Sequence, residues 1–242
     1  VSYRRNQAIS MASGDLMQFV DSDDYIEPDM IEKMVRGIVD NNADIAICSV
    51  GDEQYSVENG LFDRRFFFSL PSRFNYFQYT NLPTNKIFRM NIIKDNNIKF
   101  KESIKLGEDA IFCQQYFKYA RYITCISDFL YHYVRGVLSV TMKYDPKFVD
   151  YEKYVIKAIS DSFTQYPLCE KEQSVMNAWY REKIFGCLWY YRERKNKRVI
   201  SASELRDRVR EIKGIEAYGD LSMGNHIKLS LFATPILSSI LR

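Results

Sequence analysis

An acidic run, Asp-Ser-Asp-Asp at residues 21–24, directly follows the short apolar run Leu-Met-Gln-Phe-Val at 16–20, and this junction restricts the fold strongly. An apolar run of this length between polar flanks is typical of a buried strand. In open α/β sheets, ligands bind beyond the carboxyl ends of the strands. Carboxylates clustered there can hold Mg²⁺ or Mn²⁺ together with substrate phosphates. Asp and Ser are also good helix N-caps, so the run alone leaves a structural role open.

The segments around the acidic run alternate between helix and strand. Residues 7–12 predict the end of a helix that stops at Gly14. Pro28 predicts the first turn of a helix that continues to about residue 41, and residues 44–50 predict the next strand. Because helix, strand, loop, helix and strand follow in this order, we predict an α/β fold class.

The middle of the chain is less regular. Residues 84–97 predict a turn followed by a short helix. Residues 121–134 predict two strand-like pieces around Ser127 and Asp128. Residues 62–79 carry eight aromatic side chains, and we assign most of them to the core.

The last part of the chain differs in character from the first. Residues 146–166, 171–196 and 203–213 combine helical periodicity with many charges. We therefore predict two parts: an α/β catalytic domain over residues 1–145 and a helical C-terminal region over residues 146–242.

A second acidic segment, Leu-Gly-Glu-Asp at residues 106–109, precedes an apolar helix. Gly107 permits a tight turn into a cleft. Asp109 is either the N-cap of that helix or a general base, which must lie within hydrogen-bond reach of the proton it takes. Spacing alone does not bring Asp109 near Asp23.

Together these segments resemble glycosyltransferase family 2, the inverting enzymes of the GT-A fold. Residues 1–35 resemble the family's S-x-A-R-N segment that ends in F-x-D-S-D-D, and residues 106–112 resemble its G-E-D-x-x-F motif. Residues 85–89 are similar to its K-[LI]-[YF]-R segment, and residues 130–141 to a later Y-x-Y-x-x-R-x-x-S stretch. The resemblance covers residues 1–141. It implies a Rossmann-like mixed sheet flanked by helices, with a C-terminal helical appendage.

The resemblance implies a donor site at the acidic run. Asp21 and Asp23 would be the D-x-D pair, with Asp23 coordinating the Mn²⁺ or Mg²⁺ that bridges the donor diphosphate and Asp21 near the ribose or the metal. Arg5 and Asn6 would lie near the nucleotide-sugar. His132 is a weaker candidate for a further metal or diphosphate contact, because most histidines at such a position are structural.

The resemblance places the acceptor at the second acidic segment. Asp109 would be the catalytic base, with Glu108 beside it. The implied reaction moves a sugar from a nucleotide-diphosphate donor, a UDP-sugar by family default, to a hydroxyl of a glycan or lipid-linked glycan with inversion. Cell-envelope polysaccharide synthesis is the implied setting.

The sequence departs from the family pattern at two positions and in one larger respect. Arg4 stands where Ala is usual, and Ala8 stands where Gly is usual. The family's first β-α-β portion, which carries most of the nucleoside pocket, has no counterpart here. We therefore expect an exposed sheet edge that favours a homodimer. The alternative is a catalytically inert interaction protein that keeps the fold.

Composition restricts the partners and the compartment. Lys and Arg total 34 and Asp and Glu total 31, a net charge of +3 that is too even to demand a nucleic-acid partner. The five cysteines are odd in number and show no C-x-x-C spacing, which favours reduced thiols in the cytoplasm. We expect no signal peptide.

A basic cluster at residues 192–198 and the apolar tail at 227–242 could hold the chain at the inner membrane face, although a solvated helix end is the simpler interpretation.

Overall fold

A computed structural model of the chain describes residues 1–51, 56–69, 80–134, 144–164 and 167–213. The chain divides into two compact units. The first unit comprises Val1–Ser139 with Lys157–Pro167, and the second comprises Val140–Ile156 with Leu168–Arg242. The apolar tail and the aromatic residues beyond position 69 in the segment 62–79 lie outside the described residues.

Helices and strands are mixed along the described chain up to residue 132, and the described elements after it are three helices. The helices are α1 (Ser2–Met11), α2 (Met30–Asp40), α3 (Met90–Asp95), α4 (Glu108–Phe117), α5 (Phe148–Phe163), α6 (Glu170–Asn196) and α7 (Ala202–Lys213), with a 3₁₀ helix at Arg64–Ser69. The strands are β1 (Leu16–Gln18), β2 (Tyr25–Ile26), β3 (Ile45–Val50), β4 (Gly60–Asp63), β5 (Lys86–Arg89) and β6 (Tyr122–His132). The helices predicted from Pro28 to about residue 41 and over residues 146–166, 171–196 and 203–213 are present with some ends shifted. Pro28 itself precedes the N-cap Asp29 and lies outside α2.

The six strands form one mixed sheet in the order β1-β5-β3-β6-β2, with β4 also paired to β6. Strand β5 runs antiparallel to both β1 and β3, and β3 runs parallel to β6. Strands β1, β3 and β6 therefore point the same way, and their carboxyl ends lie at the same edge of the sheet. The sheet is mixed and flanked by helices, as predicted.

Helix α2 packs against the sheet through one apolar stripe. Met30, Met34 and Ile38 recur at intervals of four residues, and all three are fully buried. They join a core cluster with Ala46 and Cys48 of β3. Each fully buried side chain of this size contributes about 1.5–3 kcal/mol of burial energy, so the stripe fixes α2 on the sheet.

An aromatic cluster fixes α4 close to the end of β1. Phe19 makes edge-to-face contacts with Phe88, Phe100 and Phe112, with ring centroids 5.3–5.9 Å apart. Phe100 and Phe112 stack at 4.1 Å. Since Phe19 lies between β1 and the acidic run, this cluster ties the start of α4 to the acidic loop.

Strand β5 corrects the prediction of a turn and a single short helix over residues 84–97. Residues Lys86–Arg89 form a strand between β1 and β3, and α3 follows it directly. The strand is only four residues long and has a charged residue at each end. One of these, Lys86, is nevertheless fully buried, so the sequence pattern hides a central strand.

Strand β6 corrects the prediction of two separate strand pieces over residues 121–134. Tyr122–His132 form one strand. Cys48 pairs with Ile126 whereas the next residue, Ser49, pairs with Phe129, so β6 bulges between these pairs. The polar residues in the bulge are exposed, and their polarity indicated an interruption where the strand only bends.

Candidate functional site

The acidic loop crosses the end of the sheet. It connects β1, at one end of the strand order, to β2, at the other. It therefore lies at the edge where the carboxyl ends of β1, β3 and β6 meet, which is where open α/β sheets bind ligands. The turn within the loop is closed by the Asp24 amide, which donates to the Asp21 carbonyl at 3.1 Å.

Arg5 of α1 joins the two acidic segments. Its Nη2 donates to Oδ1 of Asp21 at 2.6 Å, and its Nη1 donates to Oδ1 of Asp109. The guanidinium lies 5.1 Å from the Phe100 ring centroid, and the Arg5 side chain is only 11% exposed. Residues that are 104 positions apart therefore meet at one buried cation.

The pKa of the Asp109 carboxyl is shifted toward neutral pH. Burial raises its pKa to about 6; the charge of Arg5 opposes this shift, and the nearby carboxylates of Glu108 and Asp21 add to it. Burial alone would lower the pKa of Arg5. The Asp109 charge and the hydrogen bond to Asp21 outweigh burial and raise the Arg5 pKa above its ordinary value. Arg5 is therefore always charged, whereas Asp109 can exchange a proton near neutral pH.

The turn before α4 determines where Asp109 lies. Gly107 is the N-cap of α4 and has a φ of +86°, a left-handed conformation that favours glycine. Glu108 and Asp109 occupy the first turn, where carboxylates interact favourably with the helix dipole. Both are partly exposed. The turn therefore presents two carboxylates at the start of α4 without burying either completely.

Asp23 differs from its acidic neighbours because it is exposed and makes no hydrogen bond or ion pair with any described residue. Among the residues the structure describes, no group of three or more His, Cys, Asp or Glu side chains could hold a metal ion by itself. Mg²⁺ in proteins is usually held by one or two carboxylates plus substrate phosphates. The oxygen donors of Asp23 and Asp21 fit that kind of site.

Asn6 uses its amide to hold the segment that leads to α4. Its Nδ2 donates to the Phe100 carbonyl at 2.9 Å and to Oε1 of Glu102 at 2.8 Å. Its Oδ1 accepts from the Phe100 amide at 2.8 Å. These contacts place Asn6 next to Arg5 in a bracing position, while its contact with a donor stays a prediction.

His132 lies at the end of β6 and already has partners. Its Nε2 is 2.6 Å from Oε1 of Glu27, and its ring stacks on Tyr25 at 4.5 Å. These contacts favour the structural interpretation of His132 that the sequence analysis preferred.

Tyr131 was not among the predicted site residues, but its buried hydroxyl contacts the acidic loop. The residue falls within the Y-x-Y part of a motif already noted. The motif gave no reason to connect this hydroxyl with a loop 110 positions away.

The basic cluster in the second unit is partly engaged in local contacts. The Arg194 guanidinium lies 3.4 Å from the Tyr190 ring centroid, and Lys197 pairs with Glu193 at 2.6 Å. None of the described helices is both long and apolar enough to cross a membrane. Membrane-surface contact and self-association stay predictions.

Known proteins share the sequence pattern of the first unit. Residues 1–107 match the sequence profile described as glycosyl transferase family 2. The chain is 32% identical over 132 residues to the poly(ribitol-phosphate) beta-N-acetylglucosaminyltransferase TarS of Staphylococcus aureus, covering 53% of this chain and 22% of TarS. It is 28% identical over 141 residues to a poly(ribitol-phosphate) beta-glucosyltransferase of Bacillus spizizenii, covering 54% of this chain and 20% of that protein. The chain thus spans only about a fifth of these relatives.

Solved structures share the fold. The crystal structure of the S. aureus TarS fragment 1–349 with UDP-GlcNAc superposes with a TM-score of 0.62 at 23% identity, covering 88% of this chain and 62% of that one. The same fragment with UDP gives 0.60 at 22% identity, covering 87% and 58%. This likeness confirms the predicted GT-A fold. Together with the profile match over residues 1–107, it supports the resemblance of this part of the chain to glycosyltransferase family 2.

Proposed function

We propose that this chain transfers a sugar from a UDP-sugar to a hydroxyl group of an acceptor, with inversion at the anomeric carbon. The observation that carries the proposal is the ion-paired triad in which Arg5 contacts both Asp21 and Asp109. A donor held at the acidic loop would then lie beside the carboxyl that takes the acceptor proton. TarS has been crystallised with UDP-GlcNAc, which supports a UDP-sugar as the donor class.

The acidic loop supplies the donor side. Asp23, exposed and without a described partner, would bind Mn²⁺ or Mg²⁺, with Asp21 nearby. The cation would offset negative charge that develops on the departing diphosphate. Arg5 offsets part of the Asp21 charge, so the loop repels a phosphate less than its three carboxylates alone would.

Asp109 supplies the acceptor side as a general base. It would take the proton of the acceptor hydroxyl as that oxygen forms a bond to the anomeric carbon. The bond from that carbon to the diphosphate oxygen breaks, and its electron pair leaves with the nucleoside diphosphate. A pKa of about 6 keeps Asp109 mainly ionised at pH 7 but basic enough to accept a proton. Glu108 would lie beside the acceptor.

The relatives indicate an acceptor class. Both poly(ribitol-phosphate) transferases are named for a polymer of polyol phosphate. We extend this class to the present chain, with a hydroxyl of a cell-envelope polymer or a lipid-linked glycan as the acceptor.

An Asp109→Asn variant tests the proposal. We expect loss of sugar transfer to a poly(ribitol-phosphate) acceptor by about 10²–10⁴-fold, with Mn²⁺-dependent UDP binding retained. Asp95→Asn, which changes an exposed carboxyl on α3, is the matched control and should keep both properties. Transfer by Asp109→Asn near the wild-type rate would refute the base assignment. A wild-type chain that binds no UDP-sugar would instead support the inert interaction protein.

A further inference from the structure

The hydroxyl of Tyr131 lies beneath the acidic loop and contacts it at two points. It donates to Oδ2 of Asp24, and it accepts from the Asp21 amide at 3.3 Å. The ring is 1% exposed and belongs to the core cluster that contains the α2 stripe. A buried residue of β6 is therefore hydrogen-bonded to both ends of the turn that carries Asp23.

We propose that Tyr131 is a positioning residue that holds the acidic loop in the shape that presents Asp23 to a metal-bound diphosphate. This inference rests on the proposed function, because it gives a role to the same loop. The two neighbouring carboxylates then have different roles. Asp24 fixes the loop, and Asp23 is available to a ligand.

The contacts of Asp24 support this division. Its Oδ2 accepts from the Tyr131 hydroxyl, and its Oδ1 accepts from the Val134 amide at 2.9 Å. Both carboxylate oxygens therefore face β6 and the residues that follow it. Asp23, one position earlier, has no such contact with a described residue and is exposed.

The Tyr131 hydroxyl also makes a hydrogen bond outside the acidic loop. The Thr84 side chain hydrogen-bonds to it, and the Thr84 carbonyl accepts from Nε2 of Gln18 at 2.5 Å. Burial raises the Tyr131 pKa above its ordinary value, and the hydrogen bond to Asp24 raises it further. The hydroxyl therefore stays protonated at neutral pH and remains a donor to Asp24. Gln18 ends β1, so the network begins next to the acidic loop.

A Tyr131→Phe variant removes only the hydroxyl and keeps the buried ring. We expect Mn²⁺-dependent UDP binding, measured by calorimetry, to weaken about tenfold, because a hydrogen bond to a charged group at the loop is lost. In amide hydrogen exchange without ligand, the Asp21 and Asp24 amides should exchange faster than in the wild type. Asp24→Asn should give the same changes, and the double variant should lose little more than either single variant.

Tyr116→Phe is the matched control. Tyr116 is also fully buried, and its hydroxyl donates to the Asp44 carbonyl at 2.6 Å and accepts from the Arg89 amide at 2.9 Å. This variant likewise loses a buried, hydrogen-bonded hydroxyl, but neither of its two hydrogen bonds contacts the acidic loop. It should lower thermal stability without changing UDP affinity or the exchange of the Asp21 and Asp24 amides.

The outcomes separate this inference from the proposed function. If Tyr131→Phe leaves the loop amides and the UDP affinity unchanged, or if Tyr116→Phe weakens UDP binding equally, the positioning role is refuted. If the wild type binds no UDP with Mn²⁺, the proposed function fails. In that case, faster loop exchange in Tyr131→Phe alone would still support a loop-holding role, and unchanged exchange would overturn it.

Discussion

Replacing Arg5 by Met should raise the pKa of Asp109. Arg5 is the positive partner of Asp109 and also neutralises Asp21, whose free charge would add to the repulsion. A charged arginine typically lowers the pKa of an adjacent Asp by about one to three units. Because the wild-type pKa is about 6, we expect a variant pKa between about 7 and 9. Methionine keeps an apolar stem against Phe100, so the aromatic packing is largely retained.

The pKa can be read directly from a titration of ¹³C-labelled aspartate carboxyls by NMR, with the Asp109 signal identified from its loss in Asp109→Asn. At pH 7 the ionised fraction of Asp109 should fall from about nine-tenths to about one-tenth if the variant pKa reaches about 8. Sugar transfer should fall by a similar factor and recover as the pH is raised.

Arg4→Met is the matched control, since Arg4 is the exposed neighbour on the same helix. It should leave the Asp109 titration unchanged. An Asp109 pKa that stays near 6 or falls in Arg5→Met would refute the electrostatic account of the triad.

Two further predictions concern α4. Gly107→Ala places a side chain at a φ of +86° and should lower the free energy of unfolding by about 1–2 kcal/mol in urea titrations. Gly14→Ala is the control and should change that free energy little, because its Cβ would meet only a carbonyl at 3.7 Å. Equal losses in the two variants would contradict the strain argument. The folded-state pKa of Asp109 lies above its ordinary 3.8, so the folded chain binds that proton more tightly, and the carboxyl's contribution to stability is lost as the pH rises from about 4 to 6. The stability of Asp109→Asn relative to wild type should therefore increase across that pH range in chemical denaturation, and a decrease would show that the pKa shift has the opposite sign.

The sequence predicted the parts of the fold that local patterns encode. The apolar run that became β3 and the stripe that became α2 each bury one continuous set of residues, so periodicity finds them. The run at residues 16–20 was predicted as a buried strand, but β1 covers only Leu16–Gln18 and is half-buried. Strand β5 escaped because it is short and has charged residues at both ends, although one of them, Lys86, is fully buried. Its Nζ donates to the Leu82 carbonyl at 2.5 Å and to Oδ1 of Asn85 at 2.7 Å.

The residues of the candidate site were proposed from local motifs, but their geometry could not be. The acidic run and the Gly-Glu-Asp segment identified the carboxylates Asp21, Asp23 and Asp109. No local pattern predicts that Arg5 joins two of them, because that contact depends on how α1, β1 and α4 pack together. The role of Tyr131 escaped for the same reason, since its loop partners lie more than 100 positions away in sequence.

The proposed reaction requires the acidic loop and Asp109 to form a single site, and Mn²⁺ can test this directly. In the ¹³C-carboxyl spectrum of the wild type, Mn²⁺ added with UDP should broaden Asp23 most and should also broaden Asp21 and Asp109, because the paramagnetic ion relaxes nearby nuclei. Asp95, which is also exposed, should stay sharp. A spectrum in which Asp23 stays sharp, or in which Asp109 responds no more than Asp95, would contradict the account.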